Sequence, residues 1–446
     1  MLQSRRRSRA DALLMSPFDQ LRQARMQEEV GDWLSAAATY DHLAEQDPDD
    51  HRLRTNQANA LWLADLPAAA ASSYQRALVL QPLCPVSQRG LASCLRDLNR
   101  FEEALQLHQQ LAMHLPPGST DAQANLWAHS QILIGLEHFS DAFELMACRC
   151  FSPLGRLMPE HDVLNEQLTV VSEQGFGDSL QYVRFVLPLH SQRQAAELRG
   201  GVRLLVEAPL VELLRQGLSW LDDPPSVECK PSDWKPDDHA LTLLTLPAAL
   251  GVNHVGFTGD DSAYLLAPNW LQSSVRAEGA SLTRIGLVSA AGLAGPDPFC
   301  RREFEKRSLP AAILWRLVDE LRDQGAEVHD LQYGSAAERH RALGLELRKS
   351  FSGLEGFAAT ARAVAQLDLV ITVDTAMAHL AGAMGRACWV LLPWSADPRW
   401  LRDGRSTPWY PNTVLFRQPR PGDWHGAVDQ LLKFFIAGHL DSANHP

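Results

Sequence analysis

The sequence is short of several things, and each shortage excludes a class of protein. No window of its 446 residues approaches the unbroken apolar run of about 20 that a membrane helix needs. The basic run "RRRSR" at Arg5–Arg9 has no apolar stretch behind it, so a signal peptide is not expected and the run reads as a solvated tail. Positive charge is in deficit: 41 Lys and Arg stand against 53 Asp and Glu, a net charge of −12. Nucleic acid is therefore not expected as a partner, because phosphate backbones are held by basic stripes. Cysteine is scarce too. The seven present are scattered without a framework, and Cys148 and Cys150, a lone C-x-C, read as two helix positions. Reduced thiols in a cytoplasm are the natural reading. What remains is ordinary for a soluble globular chain, with 46% hydrophobic and 21% charged residues in a length that suits two or three domains.

What is present first is a repeat. Ala24, Ala58 and Ala92 are spaced by 34 residues, as are Ala36, Ala70 and Ala104, and Pro48, Pro82 and Pro116. Tyr40 and Tyr74 keep the spacing, with His108 in the third place. Small residues inside two helices, with a Pro closing the second, form the tetratricopeptide pattern. A fourth, looser unit at "LIGLEHFSDAFELM" (Leu133–Met146) is offset by four extra residues. Residues 20–150 are thus expected to be a tetratricopeptide domain behind a basic tail, 1–19. Such arrays commonly hold an extended peptide or another protein; the alternative is that this one only oligomerises or props up the rest of the chain.

After Phe151 the texture changes to strands alternating with helices. "LNEQLTVVSEQGFGDSLQYVRFVLPL" reads as strand, Gly-containing turn and helix, and "GVRLLVEAP" and "HALTLLTLPAALG" each begin with a strand. Ala267–Leu282 is more polar and reads as a linker. A second set follows: "RIGLVSAAG", "AILWRLVDELRDQG", "AEVHDLQYG", "FAATARAVAQL", "DLVITV" and "ACWVLLP". Two α/β halves, 151–270 and 271–446, resemble the GT-B architecture, in which the active site lies between the carboxyl ends of two parallel sheets.

Four stretches carry chemistry. In "VDTAMAHLAGAMG", Asp374 and Thr375 end an apolar strand and either can cap the next helix, whose free N–H groups suit a diphosphate. His379 lies one turn on, within reach of a phosphate or a ribose hydroxyl, and the Ala and Gly residues around it keep the helix slim. The competing reading is a capped, buried helix with a satisfied core His. In "SEQGFGDSLQYVRF", Gly175 and Gly177 allow tight turns and Asp178 is either an N-cap or a general base. In "REFEKRSLP", Lys306 and Arg307 are expected in a loop between a strand and a helix, where two cations suit an anionic leaving group; a solvated pair is the alternative. The stretch Asp397–Trp424, rich in Trp, Tyr and Pro, reads as a stiff loop that stacks against sugars or bases, or roofs a core.

Together, "EQGFGDSLQYVRF", "LTLPAALG", "KRSLP", "DLVITVDTAMAHLAGAMG" and "WYPNTVLFRQPRPGDW" resemble glycosyltransferase family 9, the ADP-heptose:lipopolysaccharide heptosyltransferase-like group, in its branch with N-terminal tetratricopeptide repeats. The resemblance covers most of residues 165–435. It implies an inverting transferase without a bound metal or other cofactor, using a nucleotide-diphosphate sugar. Asp178 would be the catalytic base. Gly175, Gly177, Lys306, Arg307, Ser308, Asp374, Thr375, Ala376 and His379 would bind the donor, and Gln174, Gln181, Trp409 and Tyr410 would line the rest of the cleft. The D-x-D at Asp47–Asp49 falls in a repeat turn and is not expected to hold a metal. Three positions depart from the family: Ala376 follows the D-T pair where Gly is usual, Ser289 replaces a Trp, and D-W-R-W becomes Asp397-Pro398-Arg399-Trp400. The repeats point to a protein or peptide acceptor, with self-association left open. The alternatives are a repeat scaffold with a degenerate transferase half, and, on architecture alone, a relative of the O-GlcNAc transferases.

Overall fold

The computed structural model describes residues 15–148, 163–234, 240–256, 263–267, 270, 283–292, 295, 297–333, 338, 342, 344, 347 and 356–438. Residues 1–14 of the expected tail and most of the expected linker lie outside them, whereas 15–19, also expected in the tail, lead into a helix that begins at Pro17. By packing, the chain forms two compact units. One runs to Ile132 and takes in the segment ending at Glu303; the other holds the remainder.

The first unit is built from paired helices: α1 (Pro17–Glu29), α2 (Trp33–Gln46), α3 (His51–Leu63), α4 (Pro67–Leu80), α5 (Pro85–Asp97), α6 (Phe101–Ala112) and α7 (Thr120–Gly135). The repeat alanines explain the pairing. Ala24, Ala36, Ala58, Ala70, Ala92 and Ala104 are all at most 1% exposed, so neighbouring helices touch where side chains are smallest. A Cβ on Gly90 would overlap the Tyr74 ring, which is how α5 lies so close to α4. Each pair is joined by a turn with one residue in the left-handed region: Gly31, Asp65, Asn99 and, four residues late, Glu137, with φ of 76°, 59°, 58° and 62°. The fourth turn leads into α8 (Phe139–Cys148), which packs in the second unit through Phe143 against Phe185, 5.6 Å between centroids.

The first unit also contains a segment that the sequence placed in the α/β half. Helix α13 (Pro298–Arg307) begins there. Phe299 stacks on Trp62 at 5.8 Å, and the Arg302 guanidinium lies 4.4 Å over the same indole. Arg302 Nη2 donates to Asp65 Oδ1 and Asp97 Oδ2, both at 2.8 Å, and Trp62 Nε1 donates to the same Asp97 oxygen. Asp97 is buried, and its charge is tolerated because Arg96 also donates to its Oδ1 through Nε and Nη2, so three residues share it.

The second unit holds two parallel sheets. The first, in spatial order β3-β2-β1-β4, contains β1 (Leu168–Val171), β2 (Val202–Val206), β3 (Ser226–Cys229) and β4 (Ala240–Thr242). The second, in order β6-β5-β7-β8-β9, contains β5 (Thr283–Val288), β6 (Ala326–Asp330), β7 (Leu369–Val373), β8 (Cys388–Leu392) and β9 (Thr413–Arg417). Strand β7, "LVITV", is buried at every residue, as expected of a central strand covered on both faces. Around it Ile285, Leu287, Trp389, Leu391 and Phe416 pack against α14 (Ala311–Asp323) and α17 (Trp424–Ile436). The unit is therefore the expected pair of Rossmann-like halves, and the whole chain is helical repeats followed by a GT-B fold. Among the described residues no helix is long and apolar enough to cross a membrane.

Both sheets reverse their winding at one place: between β1 and β4 in the first, and between β5 and β7 in the second. Ligands of open α/β sheets collect outside the carboxyl ends of strands at such switch points. The G-F-G-D loop follows β1, and the D-T pair follows β7.

Candidate active site

Helix α9 (Phe176–Tyr182) has Gly175 as its N-cap, and Gln174 before that takes a left-handed φ of 65°. Asp178 is the third residue of the helix rather than its N-cap. Its Oδ2 accepts the Gly175 N–H at 3.1 Å, and its Oδ1 lies 2.8 Å from Arg399 Nη2. Arg399 sits in a short 3-10 turn, Pro398–Trp400, beyond the carboxyl end of β8. Its Nε donates to Asp397 Oδ1 at 3.0 Å and its Nη1 to Gln181 Oε1 at 2.9 Å. Sequence reasoning missed this residue, noticing the turn only as a family departure.

On the other side of the cleft, Thr375 caps α16 (Ala376–Ala383), its Oγ1 accepting the Met377 N–H at 3.2 Å. Asp374 is buried, and Arg307 is its nearest cation: Nη1 lies 3.7 Å from Oδ2 and donates to the Asp374 carbonyl at 3.4 Å. Burial pushes the Asp374 carboxyl above its usual range, against the pull of Arg307. Burial acts on Asp397 in the same sense, but Arg399 beside it outweighs that and holds it at about 2. Two neighbouring carboxyls are thus driven apart in proton affinity, a pattern that separates proton-holding from charge-holding roles.

The two motifs meet at Gly177. A Cβ there would lie 2.9 Å from His379 Cδ2 and 3.6 Å from the Ala376 Cα, so the small residues at 177 and 376 let α9 and α16 touch. His379 is held from the far side: its Nδ1 shares a hydrogen bond with Tyr410 Oη at 2.9 Å, and its ring stacks on Trp400 at 5.3 Å. Burial holds its pKa well below the usual value, so the imidazole is neutral.

Several expected positions differ. Lys306 and Arg307 are not in a loop; they are the last residues of α13. Ser308 faces inward, donating to the Phe304 carbonyl and accepting the Ala291 N–H, so it shapes the loop after β5 instead of facing a donor. Ser289 and Ala290 N–H groups both donate to Gln332 Oε1 at 3.0 Å, a clamp the sequence did not suggest. His379, Trp409 and Tyr410 are 2%, 2% and 1% exposed, so they wall the site from behind and do not line an open face. The stretch Asp397–Trp424 is not one loop: it contains the 3-10 turn and β9. Gln181 is buried beside Arg399, whereas Gln174 is exposed.

Behind the wall, Arg184 is fully buried. It donates to the carbonyls of Val255 (2.7 Å) and Trp409 (2.5 Å), and its guanidinium carbon lies 4.9–5.2 Å from the rings of Tyr264, Trp409 and Tyr410. A buried cation here is stabilised by ring faces and carbonyl dipoles.

No family model matches the sequence. Over 427 residues the chain is 25% identical to Protein FlbA of Caulobacter vibrioides, covering 85% of this chain and 68% of that protein. Among solved structures it is similar to the glycosyl transferase family 9 from Veillonella parvula, at 12% identity and a TM-score of 0.43, over 63% of this chain and 99% of that one. It is also similar to an O-GlcNAc transferase of Thermobaculum terrenum, at 12% identity and a TM-score of 0.30, over 96% of this chain and 92% of that one.

Proposed function

We propose that the chain is an inverting glycosyltransferase that moves a sugar from a nucleotide-diphosphate donor to an acceptor hydroxyl without a bound metal. The acceptor is a protein or peptide held by the repeats. The observation that carries this is the contact at Gly177, which brings the loop after β1, with Asp178, against the helix after β7, beside which Asp374 and Arg307 pair. Asp178 takes the acceptor proton as the acceptor oxygen attacks the anomeric carbon. Charge developing on the leaving diphosphate is met by Arg307, Lys306 and the capped amino end of α16. Asp374 fixes Arg307 in place, and neutral His379 backs the α9–α16 contact.

The test is nucleoside diphosphate release, with intact-mass analysis of candidate acceptors, across a panel of nucleotide sugars. Asp178→Asn should lower transfer by about 10²–10⁴, the usual share of a general base. Release that survives this substitution undiminished would remove Asp178 from the mechanism. A second reading, a nucleotide-binding scaffold without turnover, is favoured by one fact: both oxygens of Asp178 are already engaged, by Arg399 and by Gly175. Binding of nucleotide sugars with no release from any of them would decide for the scaffold.

A further inference from the structure

We infer that Arg399 is a donor-sensing latch: it holds Asp178 until the diphosphate of a nucleotide sugar draws it away, leaving the carboxylate free to act as base. This rests on the reading of the site just given and adds the residue that links its two substrates.

Three features carry it. Arg399 is gripped by three side chains at 2.8–3.0 Å, each through a different nitrogen. Asp397 and Gln181 hold Nε and Nη1, while Asp178 is met through Nη2. Release of Asp178 therefore leaves the guanidinium in place, with one Nη2 N–H free to donate to a phosphate oxygen. Second, Arg399 meets Asp178 at Oδ1 and the Gly175 N–H meets it at Oδ2, so giving up the ion pair clears Oδ1 for a hydroxyl proton while the backbone bond keeps the carboxylate in place. Third, Gln181, 1% exposed, bonds Arg399 through Oε1, while its Nε2 has no hydrogen-bond partner. A buried amide donor without an acceptor is uncommon, and a phosphate oxygen arriving at Arg399 would supply one.

The sequence of events follows. The donor diphosphate binds Arg399 and frees Asp178 Oδ1. The acceptor hydroxyl then gives its proton to Oδ1 while its oxygen bonds to the anomeric carbon. The bond from that carbon to the diphosphate oxygen breaks, and the electron pair leaves with the diphosphate beside Arg399 and Arg307. The donor must therefore bind before the acceptor becomes reactive.

The experiment is calorimetric titration of the full chain with ADP, GDP and UDP. Asp178→Asn, close to isosteric, should tighten binding by about three- to tenfold, because Arg399 no longer has to leave a carboxylate. Arg399→Ala should weaken it by about 10–100-fold, and Arg399→Lys should recover part of that loss. In the Arg399→Ala background, Asp178→Asn should change nothing. Wild-type binding that Asp178→Asn leaves unchanged, or weakens, overturns the latch while leaving the transferase reading standing. A wild-type chain that binds none of the three nucleotides overturns both.

Discussion

Gly177→Ala tests the contact on which the site depends. The added methyl carbon would lie 2.9 Å from His379 Cδ2, whereas carbon atoms settle at about 3.5–4.0 Å. Something must move by about 0.6–1 Å. His379 cannot give easily, since Tyr410 holds its Nδ1 and Trp400 stacks on its ring. The Ala376 backbone, 3.6 Å away, blocks a second direction. Overpacking of this kind costs about 1–3 kcal/mol, and the better helix propensity of Ala returns at most about 1. A net loss of about 1–2 kcal/mol should lower the melting temperature by a few degrees. Function should suffer more, because a shift near 1 Å between Asp178 and the Arg307 side of the cleft is of the size that costs about 10²-fold in rate. The assays are calorimetric melting and nucleoside diphosphate release on the same preparation. Removing the obstruction with His379→Ala should make Gly177→Ala milder than in the parent, read as a double-mutant coupling. A Gly177→Ala chain with parental melting and parental turnover would refute the argument.

Two further outcomes concern the repeats. His108 is buried, its Nδ1 bonded to Asn125 Oδ1 at 2.8 Å, and burial lowers its pKa to about 4. Its unfolded value is about 6.5, so the unfolded chain binds the extra proton and stability falls as pH drops from 6.5 towards 4, by about 3 kcal/mol in all. Urea unfolding at pH 7 and pH 4.5 should show this slope, and His108→Tyr, which restores the residue of the first two repeats, should flatten it; an equal slope in both chains would exclude His108 as its source. Glu137→Gly should stabilise by about 0.5–1 kcal/mol, since Glu137 is an exposed residue held at φ 62°, where Gly has no steric penalty. Lower stability in chemical denaturation would count against that account.

The repeat region was the most legible because its signal is redundant: six alanines and three prolines at one spacing all state the same packing rule. The central strands were legible for a related reason, being unbroken apolar runs. Helix α13 was not, because Arg302 is its one buried side chain among those described, and a helix without an apolar stripe looks like a loop. Strand β3 exposes three of its four residues, leaving only Val227 to announce it. For the site, the local motifs were readable but the partnerships were not. Arg399 reaches Asp178 across more than two hundred residues of chain, and Arg184 breaks the expectation that Arg stays near water. Neither fact is encoded near the residue concerned.

Arg184 also decides how the cleft can move. Its helical turn belongs to the first α/β half, while the Trp409 carbonyl and the rings of Trp409 and Tyr410 belong to the second. A clam-shell opening of the halves would pull a cation from between aromatic faces and break its bond to the Trp409 carbonyl. The hinge is in effect pinned. Arg184 thus resists separation of the two sheets, and the gap between them acts as a gauge whose width it helps to hold.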